Sequence, residues 1–372
     1  MHKLQILSYV FLLLGLLGYA PSALSSEYHY PAPKKTTSVP AASENSSQYP
    51  NKLRIFSTTD NEATHALILD FQKIYPRMSV TYHERQSLQI YEQLINDAKK
   101  GGSSADIAIS SAMDLQMKLA NDGYAHRIET NVQNTLPRWA VWRNEAFGTT
   151  LEPAVIIYHK PYFKDKTVPR NRSDLISFLE NRPADLYGKI ATYDIEKSGL
   201  GYMFLARDDS QFGGTWDLMR AMGLNGLRLY SQSSKIIEGV SSGQLKLGYN
   251  VLGSYAISQI KNNPDLGVIL PEDYTTVFSR IAIVPKTANS PEAGRLFLEY
   301  LLSERGQRQI NHNAQLNSIH PNVKNPNSLL NTLNNENSGL RPIKVGPGLL
   351  VYLDQMKRRN ILKRWNKALY RP

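Results

Sequence analysis

Between Leu53 and Asn121 the chain alternates three short apolar runs with three stretches of helical periodicity. Leu53-Arg54-Ile55-Phe56-Ser57 reads as a buried strand, and Ser57-Thr58-Thr59-Asp60 supplies cap chemistry for the helix after it. That helix carries Ala63, Ala66, Leu67, Leu69, Phe71 and Ile74 and stops at Pro76. Met78 to Tyr82 is a second strand, and the helix Ser87 to Lys100 follows with Leu88, Tyr91, Leu94, Ile95 and Ala98 on one face. Asp106 to Ile109 is a third strand, which runs through Ser110-Ser111 into a helix from Met113 to Asn121. Adjacent parallel strands need a crossover, and a helix is the usual one. This order therefore predicts a mostly parallel sheet flanked by helices.

A second series of the same kind begins after a β-rich stretch. Its strands are expected at Lys189–Tyr193, Arg228–Tyr230 and Lys246–Asn250, with helices from Ser198, Lys235 and Ser254. Phe147 to His159 and Val277 to Val284 read as extended segments that cross between the two units. Two lobes are expected: 51–150 with 277–372, and 151–276, the final helices returning to the first. Ligands of such sheets bind at the carboxyl ends of the strands, so the cleft between the lobes is the expected site.

The N-terminus speaks to compartment. Lys3 precedes an apolar run from Val10 to Leu17, and Ala23-Leu24-Ser25 offers small residues for cleavage, as in a secretory signal peptide over 1–25. An uncleaved anchor is the alternative. Residues 26–50, rich in Ser, Pro, Ala and Lys, read as a disordered spacer. Cysteine is absent, which excludes a disulfide-stapled module and a lipoprotein anchor. A periplasmic protein is expected.

The formal net charge of +11 raises the question of nucleic acid, but its placement points elsewhere. From Arg341 onward nine basic residues face one acid, Asp354, so most of the excess lies in one C-terminal helix. A solvated helix face is the ordinary reading, with a partner or an anionic lipid surface as the other. No nucleic-acid partner is expected.

Ser198-Gly199-Leu200-Gly201, within KIATYDIEKSGLGYMFL, is the strongest single site candidate. The first amides of a helix are unpaired and favour an anion, and a cap alone needs one serine rather than a flanking glycine pair. Ser57, Thr58 and Thr59, and Ser110 and Ser111, are opposing hydroxyl sets whose plain reading is helix capping. Tyr249, Asn250 and Ser254, with Tyr255, are candidates to read solute hydroxyls or close the cleft. Arg85 and Glu152 stand near strand ends, where Arg85 offers a fork of donors to an anion. Asp208-Asp209 reads as a loop pair, and His312 and His320 as surface. The chain's one G-x-S-x-G spelling, Gly239-Val240-Ser241-Ser242-Gly243, falls at the end of an expected helix rather than on the strand-to-helix turn a nucleophile elbow needs. There is no phosphate loop ending in Gly-Lys-Ser/Thr and no H-x-x-x-H spacing, so neither enzyme, metal nor cofactor is expected.

LRIFSTTD, SSADIAISSA, KIATYDIEKSGLGYMFL, LKLGYNVLGSYA and SPEAGRLFLEYLLSERGQRQI together resemble the periplasmic substrate-binding proteins of ABC transporters. The resemblance spans about Lys52 to Asn322. It is to the cluster that includes ferric-ion binders, and within it to the branch that takes hexose phosphates and phosphoglycerate. It implies a type II two-lobed α/β binding protein that closes on a small anionic solute, with an ABC permease or the sensor domain of a membrane histidine kinase as partner. Ferric binders of the cluster use two adjacent tyrosines. Here Tyr249 and Tyr255 are separated by small and polar residues, so a ferric ion or chelate is the alternative ligand.

Overall fold

The computed structural model describes residues 26–33, 50–131, 133–181, 184–313, 316–325, 330–331 and 339–369. The expected leader, 1–25, and most of the expected spacer lie outside these residues.

Two seven-stranded mixed sheets organise the chain. The first contains β1 (Ser26–Tyr30), β2 (Lys52–Ser57), β3 (Ser79–Glu84), β4 (Ile107–Ser110), β5 (Val141–Trp142), β6 (Ala146–Gly148) and β13 (Ile281–Ile283), in the order β1-β3-β2-β4-β13-β6-β5. Helices α1 (Asn61–Ile74), α2 (Ser87–Lys100) and α3 (Met113–Asn121) make its crossovers, and α9 (Pro291–Leu302) and α10 (Glu304–His312) pack back onto it. Both returning helices have serine caps: Ser290 accepts from the Ala293 N–H and Ser303 from the Gly306 N–H.

The second sheet is built from β7 (Glu152–His159), β8 (Ile190–Tyr193), β9 (Arg228–Tyr230), β10 (Leu247–Leu252), β11 (Leu266–Ile269), β12 (Thr275–Phe278) and β14 (Leu340–Pro342). With it go α4 (Arg172–Glu180), α5 (Gly199–Gln211), α6 (Thr215–Leu224), α7 (Ser233–Ser241) and α8 (Gly253–Gln259). Strands β7, β8 and β10 are buried along almost their whole length, because helices cover both faces of their sheet.

The two extended crossings each break between sheets. Thr149–Leu151 separates β6 from β7, and Ser279–Arg280 separates β12 from β13. They are tied side by side: Thr149 N–H donates to the Arg280 carbonyl at 2.9 Å, and Arg280 N–H to Thr150 Oγ1 at 2.9 Å.

Three expectations need correction. Residues 26–30 are not spacer but β1, antiparallel to β3, with Tyr30 buried. The pairing is made by main chain, which the polar composition of Ser26-Glu27-Tyr28-His29 does not oppose at a sheet edge. The C-terminal segment does not stay in the first lobe: β14 pairs with β12, and α11 (Gln355–Leu369) packs on α6, both in the second. Its apolar face, Ile361, Trp365 and Ala368, fills the groove there. His320 is buried rather than on the surface, and its Nδ1 accepts from the Asn322 N–H.

Candidate functional site

Strand register alone locates the cleft. Strands β3, β2 and β4 are parallel and end side by side, while the first residue of β13, Ile281, lies opposite Ser110 and Gly148. In the second sheet β8, β9 and β10 are parallel, and the end of β10, Leu252, lies opposite Ala154 near the start of β7. Both crossings therefore sit at the carboxyl edges of both parallel sets, where loops from the two lobes meet.

Arg280 holds that meeting point. Its side chain is 4% exposed and Nε lies 3.0 Å from Glu152 Oε1, itself fully buried. The N–H does not point at the carboxylate, so this is an ion pair rather than a hydrogen bond. Nη1 donates to Thr58 Oγ1 of the first lobe at 3.2 Å, and Nη2 to the Tyr255 hydroxyl of the second at 3.2 Å. Glu152 accepts from Ser254 Oγ at 2.9 Å and Thr150 Oγ1 at 2.7 Å. Arg280 also lines a cavity of about 30 Å³ with Ser57, Thr59, Tyr82 and Thr150, room for about one water.

Of the sequence candidates, Thr58, Ser111 and Ser254 join this group. Thr58 Oγ1 accepts from the Ser111 N–H at 3.0 Å as well as from Arg280, so the first-lobe loops are stitched at their tips. Ser57, Thr59 and Ser110 are buried beneath them. Ser57 Oγ accepts from the Thr59 N–H, the Thr59 carbonyl accepts from Tyr82, and Ser110 Oγ accepts from the Ala112 N–H. These three shape the loops, and Ser57 and Thr59 line the small cavity they share with Arg280.

Ser198 is a helix cap: its Oγ accepts from the Gly201 N–H at 3.1 Å. Gly201 has a packing reason, since a Cβ there would lie 2.3 Å from Tyr193 Cβ. Gly199 meets nothing within 4 Å and stays exposed, and Leu200 is half-buried against the core. The glycine pair thus serves two ends, one of them close contact between α5 and β8. Burial pushes the Tyr193 phenol well up.

Tyr249 and Asn250 turn away from the seam. The Tyr249 hydroxyl and Asn250 Nδ2 both donate to Asp208 Oδ2 at 2.7 Å. Asp208 lies in α5, not in a loop, and its Oδ1 accepts from Tyr274 and from Arg172 Nη2. Arg172 is fully buried and also pairs with Asp273. Asn250 takes a left-handed φ of 54°, at the register shift of β10 between Gly248 and Val251. The Asp208 bond helps hold that conformation and so aims the following Ser254 and Tyr255 at Glu152 and Arg280.

Arg85 has a different standing. Its N–H donates to the Ser57 carbonyl, which places it at the same strand edge as Thr58 and Ser111. Its guanidinium lies 4.6 Å from the Phe56 ring centre, and Nε is buried with no hydrogen-bond partner among the described residues. Arg280 escaped sequence reasoning, although one signal was there: a lone arginine inside Val277-Phe278-Ser279-Arg280-Ile281-Ala282-Ile283-Val284 must be paired if that run is buried.

The two sheets, joined by paired crossings with loops converging at the hinge, define a type II two-lobed α/β binding protein. The family model for bacterial extracellular solute-binding proteins matches residues 56–308, and the chain belongs to that family, the solute-binding components of ABC transporters. A substrate-binding protein of an ABC transporter from Agrobacterium tumefaciens is 41% identical, covers 94% of this chain and 100% of its own, and superposes with a TM-score of 0.83. Two more distant structures share the fold. Iron-bound HitA from Pseudomonas aeruginosa is 17% identical over 86% of this chain and 99% of its own, TM-score 0.67. AfuA from Actinobacillus pleuropneumoniae is 14% identical over 86% of this chain and 98% of its own, TM-score 0.66. No curated protein matches the chain significantly.

Proposed function

We propose that this extracellular solute-binding protein captures a small anion, an organophosphate such as a hexose phosphate or a phosphoglycerate, at the seam between its lobes. Arg85 carries the proposal: a guanidinium at the ligand edge of the first sheet whose Nε has no partner among the described residues. The same strand edge carries the Ser111 and Thr58 hydroxyls and the N-terminus of α3. A phosphate there gains charge-assisted hydrogen bonds and a favourable helix dipole. AfuA, of the same fold, is a structure with exogenous fructose-6-phosphate bound. The proposed site comprises Arg85, Thr58 and Ser111, with Arg280, Ser254 and Tyr255 setting the opposite wall.

A ferric site would need tyrosinates that converge. Tyr249 donates to Asp208 within the core, and burial raises its pKa well above the ordinary value. Tyr255 accepts from Arg280 instead, and burial pushes its pKa up as well. Among the described residues no group of three or more His, Cys, Asp or Glu is placed to hold a metal ion. Delivery to a membrane permease follows from the family. A sensor-domain partner and a lipid contact of α11 rest on sequence alone.

The test is a thermal-shift panel of sugar phosphates, phosphoglycerate, inorganic phosphate, dicarboxylates and ferric citrate. A ligand of the folded state raises the melting temperature by mass action. One phosphate ester is expected to do so. Arg85→Gln is expected to weaken it by about 10- to 150-fold, the loss of about 1.5–3 kcal/mol from a charged hydrogen bond. A rise with ferric citrate alone would replace this reading with the ferric one.

A further inference from the structure

The C-terminal segment crosses the lobe boundary twice. It begins as β14 on the edge of the second sheet, where the Ile343 N–H donates to the Val277 carbonyl at 2.7 Å. It then enters the first lobe: the Val345 N–H donates to the Trp139 carbonyl at 2.7 Å. The 3-10 turn Pro347–Leu353 packs on α3 and buries Leu349 and Tyr352. Finally α11 returns to the second lobe and lies on α6. Contact there is close enough that a Cβ on Gly223 would meet the Ala368 carbonyl oxygen at 2.9 Å.

Side chains reinforce both landings. Arg364 bonds Asp209 at 3.0 Å and lies over the Trp216 ring at 4.3 Å. Arg358 lies 4.7 Å from the Tyr202 ring centre of α5. One buried apolar cluster includes Met113 and Met117 of the first lobe, Leu349 and Tyr352 of the segment, and Phe204 and Trp365 of the second.

We propose that residues 340–369 are an interlobe clasp. The segment is anchored in the second lobe at both ends, and its middle turn grips α3 of the first. The Thr149–Leu151 and Ser279–Arg280 crossings allow the lobes to rotate apart. The clasp resists that rotation, because opening must pull Leu349 and Tyr352 off α3 or peel α11 off α6. It holds the solute-free protein in a single lobe arrangement, and the short turn on α3, its landing on the first lobe after Val345, is where it lets go.

The cysteine-free sequence makes the test direct. Lys99→Cys on α2 and Ser234→Cys on α7, both at exposed positions, accept spin labels, one on each lobe. Their distance distribution is measured without any solute, so failure of the clasp leaves the solute reading untouched. The clasped protein is expected to show one narrow population. Tyr352→Ala is expected to add a second population at a different distance, and Leu349→Val, should Tyr352→Ala fail to fold, a smaller share of the same population. Identical distributions with and without the substitution, narrow or broad, would overturn the proposal.

Discussion

Two buried arginines show how the same chemistry serves different ends. Arg172 and Asp208 lie inside the second lobe, and Asp208 accepts from Arg172, Tyr249, Asn250 and Tyr274, all groups of that lobe. Arg280 lies on one crossing and Glu152 begins β7 just after the other, and Arg280 donates to Thr58 on one side and Tyr255 on the other. Each pair has the desolvation cost of two charges, offset by neighbouring hydrogen bonds. The first pair fixes the inside of a lobe. The second couples loops of the two lobes, and for that reason we count it with the proposed site.

The contrast predicts separable effects. Arg172→Met leaves a buried carboxylate without its cation and is expected to cost about 3–5 kcal/mol, read as a lower denaturant midpoint. Its effect on solute affinity should be small, since Asp208 keeps three neutral donors. Arg280→Met is expected to cost about 3 kcal/mol at the upper end, and it should also loosen Thr58 and Tyr255. If both variants lose stability and affinity in the same proportion, the two clusters are one unit and the distinction fails.

A half-exposed pair calibrates these figures. Arg305 hydrogen-bonds the Asp70 carboxyl, which joins α10 to α1 and holds its pKa below the usual carboxylate value. A depressed carboxyl stabilises the fold above its unfolded pKa and loses that stability as pH falls. Asp70→Asn should therefore cost roughly 1 kcal/mol at pH 7, discounted for the exposure of Arg305, and little near pH 2. An equal loss at both pH values in urea melts would assign the effect to packing.

Ser198→Ala removes a cap and is expected to cost about 1 kcal/mol, with solute affinity unchanged within about threefold. A large loss of affinity without loss of stability would return Ser198 to the anion site.

The alternation from Leu53 to Asn121 was legible because strand and helix periodicities are local, and three repeats of one pattern admit few topologies. Asp208 was not, because its meaning depends on Arg172 and Tyr274, 36 and 66 residues away, and adjacent acids read in isolation look like a solvated turn. The Ser198–Gly201 motif was visible but ambiguous. A glycine demanded by Tyr193 in close packing has the same spelling as one that admits an anion. For α11, the basic excess draws the reading to a solvated face and hides the buried one, Ile361, Trp365 and Ala368, and nothing local says that the second lobe receives it.

The most direct measurement is calorimetric titration of the phosphate ester that the panel selects into three proteins: unaltered, Arg280→Met and Arg172→Met, at a temperature where all are folded. The account predicts that Arg280→Met weakens binding at least tenfold, while Arg172→Met stays within about threefold of the unaltered protein. Binding that survives Arg280→Met but is lost in Arg172→Met would place the solute inside the second lobe and contradict a site at the seam.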